Sequence, residues 1–131
     1  LNDLSHSYGK KFLFEELADG TVDRLVERFK ADGIKNYGFG GIASLGNGLL
    51  PAEMIIPEHY RLGSNCAILS RAFCYVSEIG DINEMRRIFD EGVSAIRDYE
   101  KKCAAMSEQE LSENSAALKQ RVEEIVSNMQ Q

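Results

Sequence analysis

Two short apolar runs of strand length, at 35–42 and 66–69, flank one helical stretch, and this strand–helix–strand order constrains the chain more than any other feature. Strands that alternate with helices indicate parallel β–α–β connections. Parallel sheets need helices over both faces and several neighbouring strands, so two strands do not make an independent sheet. Lys35-Asn36-Tyr37-Gly38-Phe39-Gly40-Gly41-Ile42 reads as a short buried strand running into a glycine-rich loop. Cys66-Ala67-Ile68-Leu69 is the second strand, ended by Ser70-Arg71. Between them Leu50 to Leu62 reads as helix with Pro51 in its first turn, a position that proline favours. Pro57 removes an amide donor inside that helix and is expected to kink or split it. Gly63-Ser64-Asn65 supplies the turn that follows.

The flanking segments read as a polar, turn-prone opening and a set of helices. Leu1 to Ser5 is short and polar, and Tyr8-Gly9 closes it. Phe12, Leu13, Phe14 and Leu17 mark one side of a helical stretch, interrupted by Asp19-Gly20-Thr21. Val22, Leu25, Val26 and Phe29, at spacings of three and four, form the stripe of a helix packed on one face. Asp32-Gly33 ends it, with glycine where a left-handed cap is wanted. A long helix from Ile82 to about Met106 carries Met85, Ile88, Phe89, Val93, Ile96 and Tyr99 on one stripe. Ser107-Glu108-Gln109-Glu110 matches a capping box. The helix it opens carries Leu111, Leu118, Val122, Ile125, Val126 and Met129, and its other face is polar.

Length and charge narrow the choice. A closed barrel of eight strands and eight helices takes about 250 residues, roughly twice the 131 here. The expected fold is therefore α/β, a piece of a (β/α)8 TIM barrel with two short parallel strands, flanking helices and a C-terminal helical extension; the resemblance set out below implies that this piece is the C-terminal portion. Residues 1–105 would be the barrel part and 106–131 an amphipathic oligomerisation element. The chain opens at Leu1 rather than at a methionine, in mid-motif, and is expected to be a processed or partial chain. A net charge of −6 argues against a nucleic-acid partner. No stretch approaches the roughly 20 apolar residues of a membrane span, and no signal-peptide pattern opens the chain. Cys66, Cys74 and Cys103 lack metal-ligand spacing and read as small structural thiols in a reducing, cytoplasmic setting, Cys66 and Cys74 as buried ones.

Three blocks, in this order and spacing, resemble the HpcH/HpaI aldolase and citrate lyase family. Leu1-Asn2-Asp3-Leu4-Ser5 with Tyr8-Gly9 is similar to the segment after the sixth barrel strand. Tyr37-Gly38-Phe39-Gly40-Gly41-Ile42-Ala43 is similar to the seventh strand and its loop, although Gly-Phe-Gly-Gly departs from the sequence usual there. Arg61-Leu62-Gly63-Ser64, leading into Ala67-Ile68-Leu69-Ser70-Arg71, is similar to the passage into the eighth strand. The resemblance implies a carbon–carbon lyase in which magnesium or manganese holds pyruvate or a related 2-keto acid and stabilises its enolate as a Lewis acid. It implies a metal ligand at Asp3, a substrate border at Gly40, Gly41, Ile42 and Ala43, and a homo-oligomer. The other carboxylate ligand and the family's arginine and histidine belong to an N-terminal half that this chain lacks, so the chain alone is expected to be inactive.

Each of these residues has a plainer reading beside the functional one. Asp3 suits a turn or helix cap. The glycines suit either a backbone cradle for a phosphate or carboxylate, with Ser44 and Asn47 as polar lining, or close packing at a strand end. His6, beside Asp3 on a loop facing the active end, is a candidate catalytic group, whereas His59 reads as a surface or satisfied structural residue. Arg71 ends the last strand, where it would bind a carboxylate in a fork or form a structural ion pair. Glu15-Glu16 and Glu123-Glu124 read as solvated faces. The last helix would pack against a neighbouring subunit or on the helix preceding it. The rival to the aldolase reading is a non-catalytic helical module that dimerises through its last two helices.

Overall fold

The computed structural model describes residues 1–73 and 80–130. It is an α/β arrangement in which helices α1 (Asn2–Ser7), α2 (Glu15–Ala18) and α3 (Thr21–Ala31) precede strand β1 (Gly38–Ile42). Helix α4 (Ala52–Leu62) connects β1 to β2 (Cys66–Leu69), and the long helices α5 (Ile82–Ala104) and α6 (Glu108–Gln130) follow. The two strands pair in parallel, Gly38 with Cys66, Phe39 with Ala67, Gly40 with Ile68 and Ile42 with Leu69. Gly41 is left out of that register as a bulge, a device that bends a strand and redirects its end. These are the β–α–β unit and the two strands expected from the sequence; among the described residues no further strand closes them into a barrel. No helix among the described residues is long and apolar enough to cross a membrane.

Local chemistry sets the element boundaries. Gly33 and Gly63 adopt left-handed backbone at φ 72° and 73° after α3 and α4. Ile34 and Ser64 then reach back to the carbonyls of Phe29 and His59 at 2.8 and 2.9 Å, a Schellman closure in each case. At α5 the Asp81 carboxylate accepts from the Asn83 amide at 2.9 Å, satisfying one free donor of the first turn. At α6 the amide of Ser107 donates to Glu110 at 2.7 Å, and the amide of Glu110 donates to the Ser107 hydroxyl at 3.2 Å. That is the capping box the sequence spells.

Helix α4 is the hub. It carries fully buried Ala52 and Ile55 and contacts β1, α5 and α6. Contrary to expectation, Pro57 does not split it. Proline lacks the amide that would bond the carbonyl four residues earlier, which leaves the Glu53 carbonyl free. The Tyr99 hydroxyl of α5 donates to that carbonyl at 2.8 Å, and the Asn114 side-chain amide of α6 donates to the neighbouring Met54 carbonyl at 2.9 Å. Side chains from two helices thus replace and reinforce the local ladder. Beneath lies Glu58, wholly buried. Its Oε1 accepts from both ends of the Arg61 guanidinium fork and from Ser115 at 3.3 Å, and Arg61 also donates to Asp23 of α3 at 2.7 Å.

Helix α6 turns its stripe inward. Leu118, Val122 and Ile125 are buried against α4 and α2, not chiefly against α5, the helix before it. Glu16, expected on a solvated face, is instead fully buried and accepts from the Ser5 hydroxyl at 2.6 Å. The opening segment is helical rather than a plain turn, because Ser5 is drawn inward by that bond. By contrast β2 is uncovered: Ile68 is 72% exposed. Of the long α5 stripe only Ile96 is buried, while Phe89 remains 46% exposed. Cys66 is exposed, correcting the expectation of burial; Cys103 is buried, which pushes its thiol up, and Cys74 lies outside the described residues.

Two substitutions test the hub. Tyr99→Phe should destabilise the chain by about 1–3 kcal/mol, the cost of a buried carbonyl left unpaired. In a Pro57→Ala background the restored amide serves Glu53, so the same change should cost less by urea denaturation. Arg61→Ala should cost about 3–5 kcal/mol, because it strands a buried carboxylate.

Candidate functional site

The strand carboxyl ends are where an open or closed parallel α/β sheet builds its sites. Here β1 ends at Ile42 and β2 at Leu69, tied by the Ser70 amide donating to the Ile42 carbonyl at 2.8 Å. Arg71 follows in a short 3-10 turn and is exposed, with no side-chain hydrogen bond or ion pair among the described residues. The segment after α1 packs over β1 at Gly41, where a Cβ would meet the Phe14 ring at 2.6 Å and Leu13 at 3.3 Å. Gly41 also has φ 97°, a left-handed conformation that side chains rarely adopt. Asp3 and His6 are both exposed on α1, and neither has a side-chain partner among the described residues.

Packing accounts for the glycines. A Cβ at Gly38 would lie 1.8 Å from the Cys66 carbonyl oxygen, and one at Gly40 3.2 Å from the Ile68 Cβ. The Gly-Phe-Gly-Gly run therefore lets β2 and Phe14 approach the backbone of β1 closely, the second of the two readings that the sequence left open. Ile42 and Ala43 are buried beneath this end. Ser44 and Asn47 bond one another, Asn47 Nδ2 donating to the Ser44 hydroxyl at 2.9 Å. The Gly46 amide donates to Glu53 at 2.7 Å, pinning the loop to the first turn of α4.

A metal is a separate question. Among the described residues no three His, Cys, Asp or Glu side chains come together as a potential metal site. Asp3 offers one unpartnered carboxylate, and a hard divalent cation takes six or more oxygen ligands, several of them water.

The more developed chemistry lies at the opposite end of the strands, where residue type and spacing alone showed little sign of it. His59 is only 6% exposed, its ring stacked on Phe39 with centroids 3.8 Å apart and planes 13° apart. Its Nδ1 lies 2.7 Å from the Ser64 hydroxyl, while its Nε2 is buried without a hydrogen-bond partner among the described residues. Burial lowers its pKa to about 4, so the ring is neutral at pH 7. It borders a cleft of about 630 Å³ between β2 and α5, also lined by Cys66, Ile96, Arg97 and Glu100. The one available signal was position: at Glu58-His59 both side chains lie on the inner side of a helix bearing Ile55, Ile56 and Leu62. His59 is thus structural, as read from the sequence, but buried and only half satisfied rather than on the surface.

No family model, curated protein or solved structure matches this chain.

Gly41→Ala should separate packing from substrate contact. We expect a loss of about 1–3 kcal/mol in unfolding free energy, from the strained backbone and the displaced Phe14 ring. Wild-type stability in that variant would leave Gly41 without the packing role.

Proposed function

We propose that this chain is the C-terminal part of a divalent-metal-dependent carbon–carbon lyase of the aldolase and citrate lyase type, acting on pyruvate or a related 2-keto acid. The observation that supports the reading best is the parallel β1–α4–β2 unit, an incomplete piece of α/β sheet. Uncovered β2 and the exposed stripe of α5 are surfaces that neighbouring strands would bury. The resemblance in three sequence blocks supplies the activity.

On this reading the remaining part of the protein contributes the second carboxylate, and Asp3 contributes the first. Arg71, exposed just beyond β2 and without a side-chain partner among the described residues, is suited to a substrate carboxylate, which its fork can hold through two parallel hydrogen bonds. His6, one turn along α1 from Asp3, is the candidate proton carrier. Gly40, Gly41, Ile42 and Ala43 shape the floor near the strand ends. The cation, magnesium or manganese, would polarise the keto acid.

The rival reading is a non-catalytic helical module that dimerises through its last two helices. The stripe of α6 is already buried against α4 and α2 of the same chain, which leaves the exposed stripe of α5 as the surface such a module would use.

The intact mass of the protein isolated from its own source tests the proposal first. A mass well above 14.6 kDa, with pyruvate release from a 4-hydroxy-2-keto acid that requires magnesium or manganese, is the expected result. Asp3→Ala in that longer protein should remove the metal-dependent turnover, while residues 1–131 alone should show none. Full activity of the Asp3→Ala protein would overturn the assignment.

A further inference from the structure

His59 occupies a place that accepts a neutral ring and rejects a charged one. Phe39 covers one face of the imidazole, Ser64 stands at Nδ1, and Nε2 has no acceptor among the described residues. A protonated ring would have to donate from both nitrogens, and among those residues only one finds a partner. The Ser64 hydroxyl is itself 3.2 Å from the Tyr37 carbonyl and 3.1 Å from the Cys66 carbonyl. Through this one serine the histidine governs the approach to β1 and the first residue of β2. Asn65 reinforces the same junction, its amide donating to the Tyr37 carbonyl at 3.1 Å.

The surroundings give the ring one direction in which to leave. Its own helix carries Glu58, already held by Arg61 and Ser115, and the Tyr60 phenol. β1 presents Phe39, without charge, and β2 presents the Cys66 thiol. α5 presents Arg97 and Glu100, paired with each other at 2.8 Å across the cleft wall. Among the described residues lining the cleft, Glu100 is the one carboxylate. The cleft supplies room for a side chain, and Glu100 supplies the opposite charge.

We propose that His59 is an acid-operated latch: once protonated it leaves Phe39, turns into the cleft toward Glu100, and releases Ser64 and the start of β2. Closed, the ring is neutral; open, it is hydrated and titrates in its ordinary range. The sign follows from the lowered pKa. The closed form is fully favoured above pH 6.5 and loses its advantage as pH falls from 6.5 toward 4. Each pH unit inside that window shifts the open-to-closed ratio about tenfold. The latch stands on the geometry around His59 and is independent of the lyase reading.

Hydrogen–deuterium exchange of residues 63–69 tests it, corrected for the intrinsic pH dependence of exchange and referenced to α6. Between pH 7 and pH 4.5 the opening equilibrium of this turn should rise roughly 50-fold, in step with the titration of the His59 ring protons followed by NMR. His59→Phe keeps the stack and cannot be protonated, so its profile should be flat. Glu100→Gln should move the midpoint to lower pH. A flat wild-type profile, or the same rise in His59→Phe, would overturn the latch; an unchanged midpoint in Glu100→Gln would overturn the route through the cleft. Should His59→Phe fail to fold, the wild type decides alone: coincident midpoints for ring titration and turn opening support the latch, and midpoints more than about one unit apart exclude it.

Discussion

The Arg61 guanidinium folded onto the buried Glu58 carboxylate is the interaction on which the rest of the structure depends. Glu58 lies at the centre of α4, the helix that α6, α5 and β1 all touch. Taking a carboxylate out of water costs several kcal/mol, and attraction to a partner offsets that only when the geometry is good and further hydrogen bonds are present. Both arms of the Arg61 fork and the Ser115 hydroxyl of α6 converge on Oε1, while Oε2 has no partner among the described residues, so Arg61 carries most of the compensation. Because Arg61 also reaches Asp23, the same charge sets α3 against α4. Three helices are thereby held in one mutual orientation by polar contacts that tolerate little sliding, unlike the apolar contacts around them.

From that anchored helix the two ends of the strand pair acquire different characters. At the carboxyl end, glycines and a bulge let the Phe14 segment close over β1, and Arg71 is exposed just beyond β2 without a side-chain partner among the described residues. At the amino end a neutral histidine is enclosed, and a cleft opens beside it. The first end has available charge but little enclosure. The second has enclosure but no unpaired charge. A catalytic centre needs both, which is why the proposed lyase site calls for more protein around the carboxyl end.

The sequence carried the local grammar well. Hydrophobic spacing located α3 and α5, Pro51 and the Gly63 turn bracketed α4, the Gly33 cap ended α3, and Ser107 with Glu110 started α6 where the capping box placed it. Short-range rules failed where a distant residue decided the outcome. Pro57 reads as a break until Tyr99, forty-odd positions away, supplies the missing donor. Glu16 and Glu58 read as solvated or unremarked acids until Ser5, Arg61 and Ser115 converge on them. Cys66 reads as buried because its neighbours are apolar, yet β2 is left bare. The His59 environment was not legible, since it needs Phe39 and Ser64 brought in from two other segments.

The return of α6 across α4 and α2 also bears on how the chain is made. Helices near the start of a chain usually begin to pack while synthesis continues, at about 5–20 residues per second. Here α2 and α4 are made before α6, the helix that packs on both of them and whose Ser115 bonds the Glu58 carboxylate. Until α6 emerges, the apolar sides of α2 and α4 lack that cover, with a carboxylate among them. Arrival of α6 is thus the step that removes this surface from water and fixes the two earlier helices against each other.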